Sequence, residues 1–275
     1  MMGYSHIAEL AHRRFYAEAI RSFDHRHAAT FFADRGPLNA DLSHYFASFE
    51  LIVSYLYDPD RIFEANLKRA GARRVIVTDG KPSGNVHASV YLASWLSEVG
   101  VPPKVESPSL YPGEEDRTEA RRLFPMLKQP TVVLHPGSGS PNKNWPIDRF
   151  CELAAWLREK GLRVIVMTGP ADSEVDADFW KDARSAGCAR CHWLELPVIA
   201  AILQQCVAFV GHDSGISHIA AAVGAPTVAI FGATNPAIWE PRGQTVKILK
   251  RGVSTEKVSC DEVKNALEDW LEKGN

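Results

Sequence analysis

Residues 211–224 carry the side chains best suited to chemistry in this sequence, because they place small polar residues between two apolar runs. The apolar residues 207–210 and 225–232 predict two buried strands, and the Ala-rich segment between them predicts a short helix. The polar turn then lies where a strand ends and a helix begins. Free backbone N–H groups and the helix dipole favour an anion there, so the turn predicts a site for a phosphate-bearing small molecule.

A second loop, residues 135–140, reads His-Pro-Gly-Ser-Gly-Ser and follows an apolar strand that begins at Thr131. Its glycines let backbone amides come close to a ligand, its serines supply hydroxyl groups, and Lys143 adds a cation. This set suits a diphosphate, although a flexible loop with a solvated lysine explains it equally well. The spacing matches neither the Walker pattern nor the dinucleotide fingerprint.

Glu174, Asp213 and His218 are further candidates, each with a simpler structural alternative. The Glu174 carboxylate could accept hydrogen bonds from ribose hydroxyls, or it could be an acid at the start of a helix. Asp213 could contact phosphate or cap the next helix. His218 could reach a phosphate or a sugar hydroxyl, or it could be a structural histidine. Because three strand-end loops offer groups suited to one nucleotide diphosphate, we favour a shared ligand site.

Strand-like and helix-like segments alternate along the chain, which predicts an α/β fold with parallel sheets. The Pro-rich residues 101–113 have the composition of an exposed connector. We therefore expect two domains, residues 1–112 and residues 113–275. The elements predicted in the first domain are strands at 51–55 and 74–77 and helices at 61–70 and 86–99.

Composition and charge exclude several classes of protein. The 275 residues are 45% apolar and 23% charged, and the formal net charge of −2 gives no general attraction to nucleic acid. No apolar run approaches the roughly 20 residues of a transmembrane helix, and residues 1–6 lack the pattern of a signal peptide, so we expect a cytoplasmic protein. The Cys188-Ala-Arg-Cys191-His192 sequence matches a haem-attachment pattern. Without a second ligand cluster or a sign of export, we expect no haem, no metal and no other cofactor.

Four motifs follow one another in the second half of the chain. They are His135-Pro-Gly-Ser-Gly with Lys143-Asn-Trp-Pro, Gly169-Pro170 with Glu174, Asp213-Ser-Gly-x-x-His218-x-Ala-Ala-Ala-x-Gly-x-Pro226, and Phe231-Gly-Ala-Thr234-x-Pro236-x-x-Trp239. Together they resemble glycosyltransferase family nine, the ADP-heptose:lipopolysaccharide heptosyltransferase-like enzymes. The resemblance is specific from Thr131 to about Gly243 and loose over residues 4–110.

The resemblance implies a GT-B-like fold of two Rossmann-like domains with parallel sheets, with the acceptor side at 1–112 and the nucleotide-sugar donor at 113–275. It implies an inverting, metal-independent glycosyltransferase that moves a heptose-like sugar from an ADP-sugar to a lipopolysaccharide-core or related glycan. The implied partners are the nucleotide sugar, a glycan or lipid-linked glycan acceptor and the surface of the inner membrane, without nucleic acid.

The resemblance also carries roles onto individual positions of this sequence. Ser138, Gly139 and Lys143 would hold the diphosphate. Glu174 would bind the ribose, and Leu194 would border the adenine. The phosphates and the donor sugar would be engaged by Asp213, Ser214, Gly215 and His218.

The amino-terminal end departs from the family pattern. Family members open with a strand, a Gly-Asp loop and a helix, and that loop supplies an aspartate that activates the acceptor hydroxyl. This chain begins at Gly3-Tyr4-Ser5-His6, which resembles the part after the family's second strand, so we expect an incomplete first domain. Asp24, Asp34 and Asp41 are more simply explained as turn or solvated residues, and we assign no catalytic residue. The alternatives are a nucleotide-sugar-binding homologue without turnover and a different Rossmann-like enzyme, such as a sugar-nucleotide epimerase.

Overall fold

The computed structural model describes residues 1–23, 26–78, 80–82, 84–104, 106–169 and 187–272. The chain divides into two compact units, the first formed by Met1–Ala8 with Ala19–Glu106 and the second by Glu9–Glu18 with Ser107–Asn275. The division between 106 and 107 lies within the Pro-rich connector.

The segment Glu9–Glu18 groups with the second unit, which the sequence did not indicate. Two observations explain this grouping. The Arg14 guanidinium forms a two-pronged ion pair with the Asp116 carboxylate, with N–O distances of 2.6 and 2.7 Å. The side chain of Leu10 packs against one of the hydrophobic clusters of the second unit.

The first unit contains short parallel strands and short helices. Strand β1 pairs in parallel with β2, and β3 pairs in parallel with β4. Phenylalanine side chains dominate its core, in which the Phe31, Phe46 and Phe63 rings pack edge-on against one another in a cluster that includes Leu67. The strands are β1 Met2–Gly3, β2 Arg21–Ser22, β3 Ile52–Ser54 and β4 Val75–Val77, and the helices are α1 Ser5–Ala8, α2 Ala40–Ala47, α3 Ile62–Arg69 and α4 Ala88–Ser94.

The second unit is built on a six-stranded sheet in which every pairing is parallel. Its strands are β5 Thr131–Leu134, β6 Arg163–Thr168, β7 Ala189–His192, β8 Ala208–His212, β9 Thr227–Phe231 and β10 Val246–Lys250. Its helices are α5 Glu114–Leu123, α6 Ile147–Glu159, α7 Leu196–Gln204, α8 Gly215–Ala222, α9 Pro236–Trp239 and α10 Cys260–Leu271.

Helices cover both faces of this sheet, which explains why its central strands β5 and β8 are buried along their whole length. Successive side chains of a strand point to opposite faces. Val132 and Leu134 of β5 therefore join one cluster, with residues of α6 and α10. Val133 joins the other cluster, with residues of α5, α7 and α8. The predicted α/β fold with parallel sheets is confirmed.

The strand order β10-β9-β8-β5-β6-β7 reverses at β5, the first strand of this sheet. The chain first builds outward from β5 to β6 and β7, and then returns to place β8, β9 and β10 on the other side. In open α/β sheets such a reversal leaves a crevice outside the carboxyl ends of the two central strands, where ligands bind. Here those strands are β5 and β8. Among the residues that the structure describes, no helix combines the length and apolarity needed to cross a bilayer.

Candidate functional site

The loops that follow β5 and β8 meet at the crevice through Lys143 and Asp213. The Lys143 Nζ donates a hydrogen bond to Asp213 Oδ2 at 2.7 Å. The Lys143 side chain is 39% exposed and the Asp213 side chain is 10% exposed, so the ammonium faces solvent while the carboxylate lies beneath it. The structure thus brings together a cation and an acid that the sequence placed on separate loops.

A buried histidine, His212, fixes the geometry of both loops, and sequence reasoning missed it. Its Nε2 accepts a hydrogen bond from the Trp145 backbone N–H at 2.7 Å. Because Nε2 is an acceptor, Nδ1 carries the proton, and it lies 3.3 Å from the Gly137 carbonyl oxygen. The last residue of β8 therefore holds the β5 loop at two points. A histidine at the end of an apolar strand was the signal available in the sequence.

The β5 loop is also anchored on its far side. The Trp145 indole is buried and donates from Nε1 to the Val258 carbonyl at 2.8 Å. The Asn144 carbonyl accepts a hydrogen bond from Thr255 Oγ1 at 2.8 Å. Lys143 thus projects from a backbone that is fixed directly after it, which limits where its ammonium group can reach.

Ser138 and Gly139 have different positions within this loop. Ser138 is buried, and its hydroxyl donates to the Ser140 carbonyl at 2.8 Å and lies 2.7 Å from Asn144 Oδ1. Its side chain therefore shapes the loop from inside. Gly139 is exposed, and a Cβ atom added there would meet no atom within 4 Å. The backbone at Gly139 is thus open to a ligand.

Helix α8 begins beside Asp213, and its N-cap residue is Ser214 rather than Asp213. Asp213 instead makes the ion pair with Lys143. The positive end of the α8 dipole and its first backbone N–H groups lie at the crevice. Gly215 is exposed, with open space around its Cα, and His218 is exposed in the first turn. This end of α8 suits an anionic group.

The loop after β9 ends at the same edge of the sheet and is fixed by Lys250, a second residue that sequence reasoning missed. The Lys250 Nζ donates to the carbonyl oxygens of Gly232 and Thr234, the latter at 3.0 Å. The side chain of Asn235 then caps α9 by accepting from the Ala237 N–H at 3.1 Å. Lys250 is thus committed to holding backbone, whereas the exposed Lys143 is open to a ligand.

Leu194 and Glu174 complete the predicted set. Leu194 follows β7, is half-buried, and packs against the hydrophobic cluster on one face of the sheet. Its neighbour Trp193 is exposed and has a left-handed backbone with φ of +53°. Glu174 lies outside the described residues.

Comparison with known proteins identifies the family. Residues 72–270 match the model of glycosyltransferase family 9 (heptosyltransferase), which is more than half of the chain. The chain belongs to glycosyltransferase family 9. The matched region includes the whole six-stranded sheet and the crevice at β5 and β8.

Individual relatives agree with this family. The chain is 30% identical over 121 residues to lipopolysaccharide heptosyltransferase 3 of Escherichia coli K12, covering 42% of this chain and 34% of that protein. In such matches the chain spans less than half the length of its curated relatives.

Two solved structures share the fold. The ADP-heptose LPS heptosyltransferase II of E. coli superposes with a TM-score of 0.71 at 16% identity, covering 99% of this chain and 98% of that chain. The E. coli heptosyltransferase WaaC with ADP superposes with a TM-score of 0.67 at 14% identity, covering 98% and 89%. At these identities the superpositions show the fold.

Proposed function

We propose that the second unit binds the diphosphate of an ADP-sugar, and that the chain transfers a heptose-like sugar from it to a lipopolysaccharide-core or related glycan. The observation that carries this proposal is the meeting of Lys143, Asp213 and the amino-terminal end of α8 at the crevice between β5 and β8. The names of the family 9 relatives, which include lipopolysaccharide heptosyltransferases and a complex with ADP, support the choice of donor and acceptor.

The geometry explains how a diphosphate would be held. Its negative charge would draw the exposed Lys143 ammonium toward its oxygens, while Asp213 keeps that ammonium at the mouth of the crevice. Exposed backbone at Gly139 and Gly215 allows close approach, and the α8 dipole favours the same charge. Ser138 acts through the loop that it shapes. Ser214 is the N-cap residue of α8, and His218 lies one turn further on, where it would contact the donor sugar.

The same groups would stabilise the departing diphosphate during transfer. In an inverting transfer the acceptor oxygen bonds to the anomeric carbon as the bond from that carbon to the diphosphate oxygen breaks, and the acceptor proton passes to a base. Negative charge grows on the leaving diphosphate, where a fixed cation and a helix amino terminus reduce its energy. Lys143 and α8 thus supply on this chain the charge that a metal ion supplies in other transferases. We assign the base to no residue.

Isothermal titration with ADP tests the donor site. We expect Lys143→Ala and Asp213→Ala to weaken ADP binding by about tenfold or more, because each removes part of the charged pair at the crevice. Lys128→Ala is the matched control, since Lys128 precedes β5 and lies at the opposite edge of the sheet. Unchanged ADP affinity in both crevice variants would contradict the donor site.

A transfer assay with ADP-heptose and a lipopolysaccharide-core acceptor tests the reaction itself. The formation of ADP and of a glycosylated acceptor is the expected result. ADP-heptose binding without transfer to any acceptor would instead identify the chain as a nucleotide-sugar-binding homologue without turnover.

We place the reaction at the cytoplasmic surface of the inner membrane, since the proposed acceptor is carried by a lipid. A turn of the second unit suits contact with a bilayer, because Phe15 is 84% exposed and its ring packs edge-on against Tyr111 at 5.6 Å. The Tyr16 and Tyr111 rings stack at 6.2 Å. Within the described part of the chain, the Arg13 side chain makes no ion pair or hydrogen bond. Aromatic rings beside a free guanidinium favour the interfacial region of an anionic membrane.

A further inference from the structure

The Trp193 side chain is exposed to solvent, and its backbone has a conformation that is unfavourable for a non-glycine residue. It directly follows β7, its side chain is 65% exposed, and its φ of +53° lies in the left-handed region that non-glycine residues rarely adopt. The Trp193 N–H donates to the Thr168 carbonyl at 3.3 Å, which ties this backbone to the end of β6. Strained residues of this kind persist where the surrounding structure fixes them, and they cluster at ligand sites.

The neighbouring residues explain how this position is fixed. The His192 Nδ1 lies 2.9 Å from Thr168 Oγ1, and the His192 and Trp193 ring centroids are 5.7 Å apart. On the other side, Leu194 packs into the hydrophobic cluster that contains Ile199 and Ile202. The chain therefore turns sharply between an anchored histidine and a packed leucine. Trp193 is left pointing away from the core.

The sheet places Trp193 at a useful distance from the phosphate site. Neighbouring strands lie about 4.8 Å apart, so the end of β7 is about 10 Å from the end of β5. All strands run parallel, and Trp193 therefore shares its edge of the sheet with Lys143 and Asp213. This separation is comparable with the reach of a nucleotide from its diphosphate across the ribose to the base.

We propose that Trp193 stacks on the purine base of the donor nucleotide and sets the preference for a purine. The inference rests on the proposed donor site and adds to it the residue that selects the base. A large aromatic face gains more from a bicyclic purine than from a smaller pyrimidine ring. Leu194, which packs against the hydrophobic cluster, fixes the backbone directly after Trp193.

The test compares ADP with inorganic pyrophosphate, which has no base, by isothermal titration of the full chain. We expect Trp193→Ala to weaken ADP binding by between about 5-fold and 100-fold, the usual range for base stacking on an aromatic ring. Trp193→Phe should retain most of the affinity, and pyrophosphate affinity should be unchanged in both variants. The ratio of ADP affinity to UDP affinity should be smaller in Trp193→Ala than in the wild type.

Tyr57→Ala is the matched control, because Tyr57 is 67% exposed and belongs to the first unit. Fluorescence gives a second measurement, since ADP should quench the wild-type tryptophan emission and quench that of Trp193→Phe less. Equal ADP affinity in the wild type and Trp193→Ala would overturn the inference, and so would an equal loss for ADP and pyrophosphate. Failure of the wild type to bind ADP at all would overturn the donor site itself, so the two failures are distinguishable.

Discussion

The backbone N–H of Trp145 donates to Nε2 of His212 across 2.7 Å, and this bond joins the loop after β5 to the last residue of β8. Both residues are buried. The two strands whose ends form the crevice are therefore connected by a side chain as well as by the sheet. The position of Lys143, two residues before Trp145, depends on this connection.

We expect His212→Ala to destabilise the protein by about 2–5 kcal/mol and to weaken ADP binding. The substitution leaves the Trp145 N–H and the Gly137 carbonyl without their partner in a buried place, and each such group costs about 1–3 kcal/mol. Urea unfolding measures the first effect and isothermal titration the second. His44→Ala, at an exposed position on α2, is the control and should change neither. A stable His212→Ala variant with full ADP affinity would show that His212 is not needed to hold the β5 loop in its binding position.

Some of this arrangement could be predicted from the sequence, and some could not. Apolar runs bounded by Gly, Ser and Asp showed that residues near Lys143 and Asp213 follow strands, and parallel strands end at one edge. The strand order is not written in local patterns, because β5 pairs with β8 across more than seventy residues. For that reason the direct contact of Lys143 with Asp213 was not foreseen.

His212, Lys250 and Trp193 were missed for a related reason. Their roles depend on partners distant in the chain or on a backbone angle, and neither leaves a periodic signal. The His212 ring meets Trp145 and Gly137, and the Lys250 ammonium meets the Gly232 and Thr234 carbonyls. Grouping of Glu9–Glu18 with the second unit likewise depends on partners distant in the chain, the Asp116 carboxylate for Arg14 and a hydrophobic cluster of the second unit for Leu10.

That ion pair predicts a pH dependence of stability. Burial opposes the charged form of Asp116, but hydrogen bonds from Arg14 and from the Gly113 N–H outweigh it and lower the pKa of the carboxyl below 3.8. A lowered pKa in the folded state stabilises the protein above the unfolded-state pKa. This contribution decreases below pH 3.8 and is lost as the pH falls through the folded-state value.

We therefore expect Asp116→Asn to destabilise the protein by about 1–3 kcal/mol at neutral pH, with the difference from wild type shrinking in acid. Urea unfolding of the wild type and of Asp116→Asn, from neutral pH into acid, measures this difference in stability. Glu106→Gln is the control, because Glu106 and Lys104 are both exposed and 3.8 Å apart, and such pairs contribute little. A wild-type to Asp116→Asn difference that stays constant into acid would contradict the role of the ion pair.

Contact with a membrane is testable without any acceptor. The Phe15 φ of +87° and the Arg13 φ of +53° show a strained turn, and the Arg14–Asp116 pair and the Tyr16 hydroxyl bond to the Ser109 carbonyl at 2.5 Å hold it. We expect Phe15→Ser to reduce binding to phosphatidylethanolamine vesicles containing about one third phosphatidylglycerol by several-fold, measured by co-sedimentation. Arg13→Gln should reduce binding to these vesicles, and the binding that remains should depend less on salt concentration.

Tyr57→Ser is the control for this vesicle experiment, since it removes an exposed aromatic ring from the first unit. Equal binding of the wild type and Phe15→Ser, with ADP affinity intact in both, would exclude the turn as the membrane contact. The donor site would be unaffected by that result.

Two glycines, Gly211 within β8 and Gly139 in the loop after β5, give a matched pair of substitutions. We expect the first to reduce stability and the second to reduce ADP affinity. In Gly211→Ala the new Cβ would lie 2.6 Å from Cζ and 2.9 Å from Cε1 of Phe209, whose ring is fully buried in the core. We expect a loss of about 1–3 kcal/mol or more in the free energy of unfolding, because a packed core has no space for the methyl group.

In Gly139→Ala the new Cβ meets nothing within 4 Å, so stability should stay within about 0.5 kcal/mol of the wild type. ADP affinity should nevertheless fall, because the methyl group occupies the space between the loop backbone and the diphosphate. Thermal unfolding and isothermal titration on both variants separate the two effects. A Gly139→Ala variant that binds ADP as tightly as the wild type would show that the diphosphate does not lie against the Gly139 backbone.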